Sequence, residues 1–179
     1  MILVLLLTGC GVENSELNRG MDLRSRLLQA ETVSFDTDIT ADYGDKIHKF
    51  SMHCTSDKKG DLTFQVTAPD TLAGISGMIK NGNGALTFDS TALHFELLTD
   101  NQLSPISAPW VLIKTLRSGY LTSAGMDGEQ LRLTINDSYE KNALQLDIWL
   151  GEGDIPESAE VLYDGRNILS MTISAFQIL

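Results

Sequence analysis

The chain has 179 residues, with 13 Lys and Arg against 24 Asp and Glu, a formal net charge of -11, 42% hydrophobic residues and 21% charged ones. That length and apolar fraction suit one globular domain with a packed core and exclude a disordered chain. The acidic balance, with Lys58-Lys59 as the longest basic run, excludes a groove that tracks phosphates and with it a nucleic-acid partner. The longest apolar run, Met1 to Leu7, is too short to span a membrane.

Residues 1–9 read as the end of a secretory signal, an apolar stretch from Ile2 to Leu7 followed by small residues and a cysteine. Leu7-Thr8-Gly9-Cys10 resembles the lipobox of bacterial lipoproteins, although no basic n-region precedes it. The resemblance implies that Cys10 is the first mature residue, acylated through its thiol, with residues 10–20 as a tether and the protein anchored by lipid on the extracytoplasmic face of the cell membrane. The alternative is a buried N-terminal strand with an incidental cysteine. With Cys10 acylated, Cys54 has no partner, so a disulfide framework is not expected and Cys54 is read as a small hydrophobe in a strand rather than a nucleophile.

The domain proper is expected over 21–179. Met21, Leu23, Leu27 and Leu28 form the apolar stripe of one amphipathic helix ending near Ala30. Val33, Phe35, Ile39, Ala41 and Tyr43 then alternate with polar residues, the period of a half-buried strand. Tyr43-Gly44-Asp45 turns into a second strand, Ile47 to Ser56, with Phe50, Met52 and Cys54 on one face. Asp57 to Gly60 turns into a third, with Leu62, Phe64, Val66 and Ala68 inward, stopping at Pro69; the three make a meander. After a less regular piece, Thr71 to Met78, Asn81-Gly82-Asn83-Gly84 reads as a tight hairpin, and two short strands follow, Ala85 to Phe88 and Leu93 to Leu98.

Beyond a loop, Ser107-Ala108-Pro109 starts a second helix, with Trp110, Leu112, Ile113, Leu116 and Tyr120 at helical spacing and an end near Gly119. Strands follow around Leu131 to Ile135, Leu144 to Leu150 and Val161 to Tyr163, with Trp149 on a polar face. Asp164-Gly165 marks a hairpin into a last strand, with Leu169, Met171, Ile173 and Ala175 inward. About eight or nine strands, two helices and no parallel βαβ unit give an α+β class: one curved antiparallel sheet forming an incomplete barrel covered by helices.

This order of parts resembles the LolA/LolB-like superfamily of lipoprotein carriers and their lipid-anchored relatives, including germination-type lipoproteins of monoderm bacteria. The resemblance is carried by the first helix leading into the Val33 to Tyr43 strand, by Val66-Thr67-Ala68-Pro69 followed by Leu72-Ala73-Gly74-Ile75, by Leu86-Thr87-Phe88, and by the closing run Pro156 to Phe176. It implies a concave apolar surface that shelters an acyl chain or a lipidated client, or docks an envelope protein. Candidate lining residues on the inward faces are Phe35, Phe50, Phe64, Phe88, Phe95, Trp110, Leu133 and Leu146; the competing reading has most of them filling a dry core.

Catalytic and metal patterns are missing from the sequence. His48 and His53 are five residues apart on one strand and so face opposite ways, and His94 is remote. No H-E-x-x-H, paired C-x-x-C, G-x-S-x-G or P-loop occurs. Glu152, Asp154 and Glu157 read as solvated acidic surface, with weak calcium binding a minor option. The expectation is therefore a protein without catalytic residues, metal or cofactor: a lipid-anchored binder of a hydrophobic ligand, or alternatively an interaction module using a sheet edge or the Trp149 face.

Overall fold

The computed structural model describes residues 15–44, 46–88, 91–96, 98–99 and 102–179, with side chains described outside 88–102. Cys10, Asp45 and the side chains of Phe88, His94 and Phe95 lie outside the described residues. Helix α1 (Ser15–Gln29) precedes six strands: β1 (Thr32–Asp42), β2 (Ile47–Asp57), β3 (Leu62–Ala68), β4 (Ser76–Lys80), β5 (Asn83–Phe88) and β6 (Thr91–Glu96). A short ladder, β7 (Leu98–Thr99) with β8 (Gln102–Leu103), and a 3-10 turn (Pro105–Ser107) lead to α2 (Ala108–Ser118). Five strands close the chain: β9 (Tyr120–Asp127), β10 (Gln130–Asn136), β11 (Gln145–Leu150), β12 (Pro156–Tyr163) and β13 (Arg166–Ile178).

Eleven strands form one antiparallel sheet in the order β6-β5-β4-β3-β2-β1-β13-β12-β11-β10-β9. Two meanders, β1 to β6 and β9 to β13, grow by hairpins between sequence neighbours. They are welded by one long-range pairing, β1 against β13, running from Val33 opposite Ile178 to Ala41 opposite Leu169. The end strands β6 and β9 do not pair with each other among the described residues, so the α+β class is observed as an open half-barrel with two helices. Both predicted hairpin dipeptides turn the chain with two consecutive positive φ angles, Asn81 (48°) with Gly82 (80°) and Asp164 (50°) with Gly165 (73°), the twist that suits right-handed strands.

The period-two pattern places Val33, Phe35, Ile39 and Ala41 of β1 in the core, opposite Met52 and Cys54 of β2 and Leu169, Met171 and Ile173 of β13. Helix α1 adds Leu23 and Leu27, and α2 adds Val111, Leu112, Ile113 and Leu116. Three expectations are corrected. Met21 and Leu28 face outward, because α1 starts at Ser15 and seats Gly20 close to Leu133 and Leu121. Ala175 is exposed: its φ of 50° marks a bulge where β13 slips against Ser34 and Asp36, and Phe176 turns inward instead, its ring 5.5 Å from that of Phe35. Tyr120 opens β9 rather than closing α2, since Gly119 is extended (ψ 170°). The strand count also rises, because β4 and β9 carry no clean alternation: β4 is five residues with a glycine inside, and β9 is exposed along most of its length.

The acidic turn after β11 is a clasp. Arg19 donates from Nε (2.9 Å) and Nη2 (2.5 Å) to Asp154 Oδ1, and Arg26 Nη2 donates to the carbonyl oxygens of Gly153 and Asp154. Glu157 accepts from Gln130 Nε2 at 2.6 Å. Asp154 is thus held by protein donors and partly withdrawn from solvent, whereas Glu157 is bonded to Gln130 but stays exposed. Asp154→Ala is expected to cost about 0.5–1 kcal/mol and to accelerate amide exchange over residues 15–29, read by hydrogen-exchange mass spectrometry; unchanged exchange there would remove the clasp's role in seating α1.

Cys54 is completely buried beside Phe35 and Phe64. Burial pushes its thiol far above the usual range, and the Asp36 carboxylate adds to the effect. A thiol kept neutral in the fold but free to ionise in the unfolded chain gives its full stabilisation below the unfolded value of about 8.5 and loses about 1.4 kcal/mol per pH unit above it. The native chain is therefore expected to lose stability with rising pH more steeply than Cys54→Ala, measured by urea unfolding across alkaline pH. Parallel slopes for the two would mean that the thiol ionises in place.

Candidate functional site

The first half of β2 leaves the core. Ile47, His48 and Lys49 are exposed and Phe50 is half-buried, whereas Met52 and Cys54 further along are closed over. Across from them, the turn after β3 folds back on its own strand: Ile75 O accepts from Val66 N (2.8 Å), and Gly74 N donates to Val66 O (3.0 Å). That backfolding places Leu72 and Ile75 beside the inner face of the sheet. The space between is a groove of about 580 Å³ walled by Phe50, Val66, Leu72, Ile75, Leu86 and Ile106. Its volume lies within the range of roughly 300–1,000 Å³ typical of small-molecule sites.

Polar groups gather at one rim. Tyr43 donates its hydroxyl to Leu103 O at 2.6 Å, and burial raises the phenol's pKa, so it remains a proton donor. The His48 ring sits 6.2 Å from that of Tyr43, and Lys49 and Ser104 border the same opening. The arrangement provides an apolar trough with a polar edge. His48 is on the inner face, whereas His53 is outside, with Nδ1 2.6 Å from Asp36 Oδ1, as their spacing requires. Among the described residues no three His, Cys, Asp or Glu side chains come together to hold a metal ion.

Of the candidate lining residues with described side chains, Phe50 lies on this groove. Phe35, Phe64, Leu133 and Leu146 are core, each at most 3% exposed. Trp110 is half-buried at a separate hollow of about 230 Å³ beside Val111, Thr115 and Leu144, with Lys114 Nζ 5.2 Å from its ring centroid. Sequence reasoning missed Tyr43, Leu72, Ile75, Leu86 and Ile106 as wall residues. The available signal was the apolar character of Leu72-Ala73-Gly74-Ile75, a turn that ought to be polar if it faced only water.

No protein-family model and no curated protein matches the chain. Solved structures do. The chain is similar to a LolA superfamily protein from Nitrosomonas europaea (9% identity, 89% of this chain and 93% of that one, TM-score 0.47). It is similar to a putative outer membrane lipoprotein-sorting protein domain from Vibrio parahaemolyticus (8% identity, 92% of each chain, TM-score 0.48). It is also similar to a chain in the structure of the CwlD amidase from Clostridioides difficile in complex with the GerS lipoprotein (13% identity, 93% of this chain and 96% of that one, TM-score 0.48). The superfamily named from the sequence is thus represented among the structures this chain is similar to.

Proposed function

We propose that this chain is a non-catalytic, lipid-anchored protein of the cell envelope that shelters an acyl chain, from a lipid or a lipidated client, in the groove beside Phe50. The observation that carries the reading is the apolar groove itself, walled by Phe50, Val66, Leu72, Ile75, Leu86 and Ile106 and left open by the described side chains. Each methylene moved from water into such a trough contributes about 0.8 kcal/mol, so a seated chain of ordinary length offsets the cost of association. The Leu7-Thr8-Gly9-Cys10 pattern supplies the address, and acylation of Cys10 by more than one chain would anchor the protein stably.

The test is native mass spectrometry with lipid extraction on the full chain purified from bacterial membranes in mild detergent. Co-purifying acyl species in a fixed ratio to protein are expected, and a folded chain with an empty groove would overturn the proposal. One observation favours a second reading, an adaptor for an envelope protein: β9 ends the sheet and exposes Met126 (51%) and Tyr120 (38%). Cross-linking from β9 to an envelope protein in cells would support that reading.

A further inference from the structure

The outer face of the sheet carries an aromatic side chain that is held rather than left loose. Trp149 of β11 points away from the core. Its indole N–H donates to Asp127 Oδ2 at 2.8 Å, and the Arg132 guanidinium lies over the ring, 5.1 Å from its centroid. Arg132 is fixed in turn by Asp147, whose Oδ2 accepts from Nη2 at 2.6 Å and whose Oδ1 accepts from Gln145 at 3.1 Å. Asp147 is 1% exposed although it sits on the outward face of its strand. A carboxylate buried at that depth is costly unless paired, and here its partner is the residue that braces the tryptophan.

Register shows what the brace serves. Across the sheet, Trp149 has Arg132 of β10 on one side and Ser158 of β12 on the other, followed by Thr172 of β13 and Asp38 of β1. The small side chains on the far side leave a hollow of about 380 Å³ with Trp149 as one wall, floored by Ser158, Ser170, Thr172 and Thr40 and edged by Glu160 and Asp38. The result is a rigid aromatic wall beside a bed of hydroxyls and two carboxylates. Such a wall packs the weakly positive C–H groups of a sugar ring against its electron-rich face, while carboxylates and hydroxyls accept and donate to ring hydroxyls.

We propose that this hollow binds a pyranose ring of a neutral or amine-bearing glycan, with Trp149 as the stacking platform. Glu160 and Asp38 disfavour anionic sugars through like charge and accept from hydroxyl or ammonium groups. The site is on the opposite face of the sheet from the apolar groove and does not depend on acyl binding.

The chain has two tryptophans, so a Trp110→Phe form of the full chain reports on Trp149 alone. Its emission is followed during titration with chitotetraose, the de-N-acetylated glucosamine tetramer and tetragalacturonate. A saturable change at millimolar sugar or below is expected for the first two, with the anionic tetramer at least about tenfold weaker, a gap of about 1.4 kcal/mol. Glu160→Gln should narrow that gap. Thr172→Arg, on an exposed floor position that leaves the Trp149 brace untouched, should abolish the change while the circular dichroism spectrum stays native. No saturable response to any sugar, binding that survives Thr172→Arg, or a response to an oligolysine peptide but to no sugar would each overturn the proposal, the last by making this face a docking site for a basic protein segment.

Discussion

Leu72→Asp is expected to deplete the acyl content of the purified chain at least about tenfold, corresponding to about 1.4 kcal/mol, with little change in the unfolding midpoint. Leu72 forms part of the groove wall yet is 42% exposed in the turn after β3, so the free protein tolerates a charge there. A seated acyl chain does not, because it would strip water from the new carboxylate without providing a partner. Phe50→Ala acts differently: it widens the trough and removes contacts, lowering occupancy with a modest loss of stability from a half-buried position. Fatty acyl groups extracted per mole of folded protein measure both. Unchanged acyl content in Leu72→Asp would place any bound lipid somewhere other than this groove.

Phe35→Ala should reduce stability by about 3–5 kcal/mol, the range for truncating a fully buried aromatic ring. Phe35 has no exposed surface, lies on β1 between β2 and β13, and packs on Phe176 with the rings inclined by 27°. Set against a total of about 5–15 kcal/mol for a typical domain, that is a large share. Phe176→Ala, at a position 9% exposed, should cost less, and a double-mutant cycle should return a coupling of about 0.5–1.5 kcal/mol. Urea unfolding provides all three values. A loss below about 1 kcal/mol for Phe35→Ala would mean that the bulge at Ala175 does not lock this pair.

The residues that were easy to read are those whose neighbours lie a few positions away. Alternation in β1, β3, β10 and β11 follows from one buried face, and the Asn81-Gly82 and Asp164-Gly165 turns follow from backbone torsions those residues tolerate. The helix start at Ser107-Ala108-Pro109 was likewise local. Strand β9 was not legible, because an exposed edge strand has no single buried face to impress a period on its sequence. The inward turn of Phe176 was hidden for a related reason: one residue of slip in β13 exchanges the two faces beyond it.

The candidate site was legible only in part. Phe50 could be named because it shares a face with Met52 and Cys54, but whether that face is covered at a given point depends on what crosses it. At Phe35 the ring of Phe176 covers the inner face and at Leu133 helix α1 does, through Gly20, whereas at Phe50 the side chains of Leu72 and Ile75 wall an open groove. The Trp149 brace has the same character: its partners Asp127 and Arg132 are distant in sequence and meet it only through the β9–β10–β11 register. By itself, then, the sequence determined the class of fold, the inward and outward faces of most strands and the lipobox-like N-terminus, since these depend on local periodicity and composition. The tertiary structure decided where the half-barrel is filled and where it stays open, because a cavity is a property of the distance between elements and no single segment encodes that distance.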